Sequence, residues 1–138
     1  MSHLPFHFAF AVKDLSSTRA FYGGLLGCPE GRSTDTWVDF DFFGNQISAH
    51  LGRPPPPGAF GQVDGVEVPI PHAGALLPWE RFEALARRLE SAGVRFVIPP
   101  SVRYQGQPAE QATMFLLDPS GNALELKAFR DPGAVYRR

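Results

Sequence analysis

One cysteine, two methionines and a net charge of only −1 are the first things this 138-residue chain shows by scarcity. A lone Cys28 excludes an internal disulfide framework and fits a reducing cytoplasm. Basic and acidic residues are nearly balanced and interspersed, so no basic stripe marks a nucleic-acid surface. No apolar run approaches the ~20 residues of a membrane span, and no basic segment followed by an apolar stretch marks a secretory leader. The expectation is a cytoplasmic protein without nucleic-acid or membrane partners. Its length suits one domain, or two small units sharing a core, over residues 1–138.

What is present is a repeat. His7 opens the run His-Phe-Ala-Phe-Ala-Val, and Asp14 precedes a helical segment. His72 opens a similar run, and Trp79 precedes a second helical segment at the same spacing. Each half closes with a Gly-Asn turn, Gly44-Asn45 and Gly121-Asn122, followed by a strand. Internal similarity at this scale marks a duplicated supersecondary unit.

The local patterns agree. Phe6 to Val12 alternates as a strand. Asp14 or Ser16 caps a helix through Thr18, Phe21, Tyr22 and Leu25, and Gly27 ends it in a left-handed turn. A short strand is expected within Cys28 to Thr34. Trp37 to Phe42 alternates, with Trp37, Asp39 and Asp41 on one face and Val38, Phe40 and Phe42 on the other. Gln46 to Leu51 returns as a strand after the turn. Arg53 to Asp64, with Pro54 to Pro57, reads as a stiff linker.

In the second half, Glu67 to Leu77 reads as one strand, interrupted early by Pro69 and Pro71. Pro78 suits a helix start, and Phe82, Leu85, Ala86 and Leu89 form an apolar stripe ended by Gly93. Val94 to Ile98 is a strand that Pro99-Pro100 breaks. Tyr104 to Gln111 is a loop. Ala112 to Leu117 and Ala123 to Phe129 are the closing strands. The fold class is therefore α+β: each module, about 4–52 and about 65–130, is a strand, a helix and about three strands, and two such curved sheets placed together can enclose a cleft.

The chemistry follows from the repeat. His7 and His72 occupy matched positions. Four residues past the second turn glycine lies Glu125, in Ala-Leu-Glu-Leu-Lys, with Leu124 and Leu126 pointing the other way. A glutamate on an otherwise apolar strand is costly to bury unless paired or metal-bound. The same count from Gly44 lands on Ser48, so the first module offers no carboxylate there; His50, two residues on, shares its face. Two imidazoles and one carboxylate suit a divalent metal with open positions, Fe(II) first, with Mn, Zn or Ni also served.

The text His7-Phe-Ala-Phe-Ala-Val-Lys-Asp14-Leu, then Phe21-Tyr22, Leu26-Gly27 and Asp118-Pro-Ser-Gly121-Asn122-Ala-Leu-Glu125-Leu, resembles the vicinal oxygen chelate superfamily of glyoxalases, bleomycin- and fosfomycin-resistance proteins and extradiol dioxygenases. The resemblance spans nearly the whole chain. It implies two βαβββ modules pairing into a curved, sheet-lined metal-binding cleft, metal ligands at His7, His72 and Glu125, a small oxygen-rich or aromatic substrate, and a homodimer. In glyoxalase-like members a fourth ligand, usually Glu, falls at Ser48; its replacement leaves a set like that of extradiol dioxygenases. Those enzymes carry Tyr where this chain has Phe115, and their acid–base His has no counterpart between Tyr104 and Gln111, so His50 and Tyr104 are the candidate proton-transfer groups. Ser48, Phe115 and Trp37 are the expected substrate contacts, with Trp79 as a further cleft aromatic. The alternatives are a lyase or isomerase, and a non-catalytic drug- or metabolite-binding protein.

Overall fold

The structure, a computed structural model, describes residues 3–63 and 65–137. The chain divides into two compact units, Met1–Pro56 with Asp118–Asn122, and Pro57–Leu117 with Ala123–Arg138.

In the first unit, β1 (His7–Val12), α1 (Leu15–Thr18), β2 (Glu30–Ser33), β3 (Trp37–Phe42) and β4 (Asn45–Leu51) build a four-stranded sheet in the order β1-β4-β3-β2. β1 and β4 run parallel, as a crossover through a helix requires; the other pairs are antiparallel. Asp14 caps α1: its carboxylate accepts from the Ser17 backbone N–H at 2.6 Å, which holds Asp14 below its ordinary pKa of 3.8. The helix widens into a π-helical stretch, Arg19–Leu25, in which Leu26 N–H donates to the Phe21 carbonyl. This stretch delivers Tyr22 into the core, where its ring meets Phe10, Phe21, Phe40 and Phe42 at 4.9–6.3 Å between centroids.

Tyr22 is fully buried, and its hydroxyl donates to Asp118 Oδ2 at 2.9 Å. Burial first, and then the Asp118 charge, push the phenol well above its ordinary 10.0. Asn122 closes this knot by donating from Nδ2 to the Ala11 carbonyl and to Asp118 Oδ2. The β3–β4 hairpin turns on Phe43 and Gly44, both at positive φ, the backbone that a two-residue hairpin loop needs.

In the second unit, β7 (Ala73–Leu76), α2 (Trp79–Ser91), β8 (Phe96–Arg103), β9 (Gln111–Leu117) and β10 (Ala123–Phe129) repeat the topology as β7-β10-β9-β8, again with one parallel pair, β7–β10. Pro78 stands at the N-cap of α2 and Gly93, at φ 73°, follows its end. Phe82, Leu85, Ala86 and Leu89 are buried along the face that packs on β9 and β10. Among the described residues no helix is long and apolar enough to cross a membrane.

Three expectations are corrected. The stretch expected to be a linker contains β5 (Ala59–Val63), paired in a hairpin with β6 (Val66–Ile70); its Asp64 lies outside the described residues. The single strand expected over Glu67 to Leu77 is two, β6 and β7, because Pro71 has no N–H to continue a ladder, so His72 sits just ahead of β7. Pro99-Pro100 does not end β8. That strand lies at the sheet edge and shifts register between Ile98 and Ser101, so the missing N–H groups are tolerated.

Candidate functional sites on two matched sheet faces

Strand alternation sorts the first sheet into two faces. Val38, Phe40, Phe42, Ile47 and Ala49 are buried on the helix side. Pairing of His7 with Gln46, Ala9 with Ser48, Trp37 with His50 and Asp39 with Ser48 puts the polar side chains on the opposite face. There they bond in series. Ser48 Oγ donates to Asp39 Oδ1 at 2.6 Å, Gln46 Nε2 donates to Asp39 Oδ2 at 3.2 Å, and His7 Nδ1 lies 2.9 Å from Gln46 Oε1. A cavity of about 600 Å³ beside them is lined by Pro5, Arg32, Asp39, Asp41, Asn45 and Gln46.

The second sheet follows the same rule with different side chains. Leu124, Leu126, Met114 and Leu116 are buried on the helix side. On the other face Glu125 pairs in register with Phe115, and Lys127 with Thr113. The carboxylate of Glu125 is 9% exposed. Its Oε2 accepts from Thr113 Oγ1 at 2.7 Å. Its Oε1 lies 3.5 Å from His72 Nε2 and 3.8 Å from Lys127 Nζ. His72 Nδ1 donates to the Pro69 carbonyl at 2.8 Å, and the ring stands edge-on to Phe115 at 4.7 Å. His72, Gly74, Leu76, Glu125 and Lys127 line a recess of about 200 Å³.

The two faces match at the level of register. Ser48 pairs with Ala9 and Glu125 pairs with Gly74, so His7 and His72 each stand two residues ahead of the partner of the matched closing-strand position. Gly74 has a steric reason: a Cβ there would collide with the Glu125 carbonyl oxygen.

His72 and Glu125 are therefore brought together. Ser48 is buried as the anchor of Asp39, and Trp37 lies half-buried across from His50 at 6.2 Å between rings. His50 is exposed and sits four residues beyond Gln46, the partner of His7, roughly 13 Å along the strand. Tyr104 lies past the end of β8, where Arg103 Nη2 donates to its hydroxyl at 3.2 Å, while Glu125 faces the middle of β9. Phe115 is fully buried with Val68, Ile98 and Ala123, so it backs His72 rather than lining the recess. Trp79 is buried too, under the Arg130 guanidinium at 3.6 Å.

Sequence reasoning missed Asp39, Gln46, Thr113, Lys127 and the Pro69 carbonyl. The alternation that put Asp39 with Trp37 was the available signal; nothing local announces a backbone carbonyl. Within each unit, no three His, Cys, Asp or Glu side chains among the described residues are grouped as metal ligands. The donor chemistry of the second face nevertheless suits a cation. With Nδ1–H spent on Pro69, a neutral His72 turns its Nε2 lone pair toward a carboxylate oxygen. Two lone pairs at that separation repel unless a proton or a metal ion lies between them.

Comparison with known proteins accords with the fold. The model of the Glyoxalase/Bleomycin resistance protein/Dioxygenase superfamily matches residues 5–126. The crystal structure of a glyoxalase/bleomycin resistance protein/dioxygenase from Alicyclobacillus acidocaldarius is 30% identical, with a TM-score of 0.76 over 99% of this chain and 100% of that one. The fosfomycin resistance protein FosX from Listeria monocytogenes is 22% identical, with a TM-score of 0.67 over 93% and 94%. A putative glyoxalase family protein from Bacillus anthracis is 16% identical, with a TM-score of 0.65 over 94% and 97%. The curated protein sequences give no match.

Proposed function

The chain belongs to the glyoxalase/bleomycin resistance protein/dioxygenase superfamily, and from that membership we propose that it is a metal-dependent, dioxygenase-like enzyme acting on a small oxygen-rich or aromatic substrate. His72 and Glu125 hold the divalent metal in this reading, Fe(II) before Mn, Zn or Ni, and His7 is the third ligand. The observation that carries it is His72 Nε2 standing 3.5 Å from a nearly buried carboxylate while its Nδ1 bonds the Pro69 carbonyl. When bound, the metal supplies Lewis acidity and open positions for oxygen donors of the substrate.

The chain's own groups do the rest. The Pro69 carbonyl fixes which nitrogen of His72 carries the proton. Thr113 holds Oε2 of Glu125 and leaves Oε1 turned to the recess. Phe115 braces the His72 ring from below. The Lys127 ammonium, at the recess, favours a substrate that carries negative charge. His50 and Tyr104 are the proposed proton carriers, and Ser48 and Trp37 the remaining groups proposed on the substrate side. The reading carries a cytoplasmic homodimer with it.

Metal content after purification without chelator tests this. Wild type retains stoichiometric metal, and H7A, H72A and E125Q each lose it; no metal under any loading condition overturns the reading. Oxygen uptake with catechols then separates a dioxygenase from a lyase. One observation favours a second reading. Lys127 lies close enough to Glu125 to neutralise it without any metal, as a metal-free binding protein of this fold would need. A ligand-induced thermal shift indifferent to chelator would favour that reading.

A further inference from the structure

The polar series on the first sheet face has a direction that its chemistry forces. Ser48 is buried, and its hydroxyl occupies Oδ1 of Asp39, so Asp39 turns Oδ2 toward Gln46. A carboxylate only accepts hydrogen bonds, so the end of the Gln46 amide facing it is the NH₂. The amide oxygen is thereby turned to His7 Nδ1 at 2.9 Å. An amide oxygen also only accepts, so Nδ1 carries the proton. In the neutral ring the lone pair then sits on Nε2.

We infer that Asp39 and Gln46 are positioning residues that hold His7 in its Nδ1–H form and present Nε2 as a donor atom. Isolated histidine favours the opposite tautomer, so the arrangement reverses the preference of the free ring. Ser48, the position without a carboxylate, becomes the anchor of a relay whose acid comes from the neighbouring strand. In the second module the Pro69 carbonyl has the same effect on His72. The tautomer follows from hydrogen-bond polarity alone; only its purpose, preparing a metal ligand, rests on the proposed function. Residues that orient a ligand in this way change metal affinity by roughly 10–100-fold when removed.

Long-range nitrogen–proton NMR of the imidazoles in metal-free full-length protein reads the tautomer directly, at a pH well above the ordinary histidine value of ~6.5. Wild-type His7 is expected as Nδ1–H. Q46L is expected to shift it mainly to Nε2–H, and D39N to a mixture, because an amide at position 39 permits the Gln46 amide to flip. The exchange D39N/Q46E is expected to restore Nδ1–H. In that double variant the amide now at position 39 donates to the carboxylate now at position 46, and this carboxylate accepts from His7. His72, with its own partner in the other unit, stays Nδ1–H in every variant, and recovery of His7 Nδ1–H in D39N/Q46E shows that the first sheet is intact.

A wild-type His7 in the Nε2–H form, or one unmoved by Q46L, overturns the inference. Zn(II) titration supplies the second arm, with Q46L binding 10–100-fold more weakly and D39N/Q46E recovering. If the NMR result holds while no variant binds metal, the relay stands and the metal reading falls. If the NMR result fails, the relay falls whatever the metal does.

Discussion

In the first module the histidine ring is held by a series of side chains, Ser48–Asp39–Gln46–His7; in the second it is held by a backbone carbonyl, Pro69 to His72. The carboxylates differ in the same sense. Glu125 stands on the closing strand itself, whereas the first module has Ser48 there and draws its acid, Asp39, from the strand alongside. Strand order, parallel pairing and histidine register are common to both. Backbone pairing tolerates many side chains on a half-exposed face, so duplication of the scaffold leaves the chemistry of each face open to differ.

The comparison breaks hardest at Gly74, whose counterpart Ala9 carries a Cβ without conflict. G74A must force β7 from β10 and is expected to lose about 3 kcal/mol in urea unfolding, whereas A9G is expected to cost only about 0.5–1 kcal/mol. Equal losses in the two would mean that the modules pack alike at this point. Next comes Thr113. T113V keeps the shape but removes the donor to Oε2 of Glu125, and titration with Zn(II) is expected to show binding weaker by roughly 10–100-fold. S48A, which reaches His7 through Asp39 and Gln46, is expected to weaken Zn(II) binding by less than T113V.

A smaller effect separates the helices. Y22F removes one of the donors to the buried Asp118 carboxylate, which keeps Asn122 and two backbone N–H groups. Thermal unfolding is expected to report a loss of about 1–2 kcal/mol. The phenol's pKa is raised by folding, so its contribution is complete below its ordinary 10.0 and declines as pH rises above that value. Alkaline unfolding of Y22F therefore lacks this component.

The smallest expected change is at the helix starts. Asp14 caps α1 with a titrating carboxylate, while α2 begins at Pro78, which does not titrate. Folding lowers the pKa of Asp14, so its contribution is present above its ordinary 3.8 and fades as pH falls through the lowered folded value. Circular dichroism across that acid range is expected to show a shallower response in D14N than in wild type.

Local pattern made much of this legible. The alternation of β3, the capping role of Asp14, the left-handed Gly27 and the α2 stripe all depend on near neighbours, and each is found as read. Errors fell where a neighbouring strand decides. Pro99 and Pro100 stop a central strand but not an edge strand, and edge position is not written in the residues themselves. The β5 strand is hidden among prolines and glycines, and its partner, β6, reads along the chain as part of the next strand.

By itself, then, the sequence determined the duplication, the α+β class and the matched places of His7, His72 and Glu125, because these are set by periodicity and spacing along the chain; the superfamily was legible through the resemblance of its motifs, such as Asp118-Pro-Ser-Gly121-Asn122 with Glu125. Tertiary structure alone decided that Asp39 and Gln46 stand beside His7, that Thr113 and Lys127 share Glu125, and that the Pro69 carbonyl orients His72. Those contacts join residues across strands or through backbone atoms, and cross-strand register is fixed only when the sheet closes.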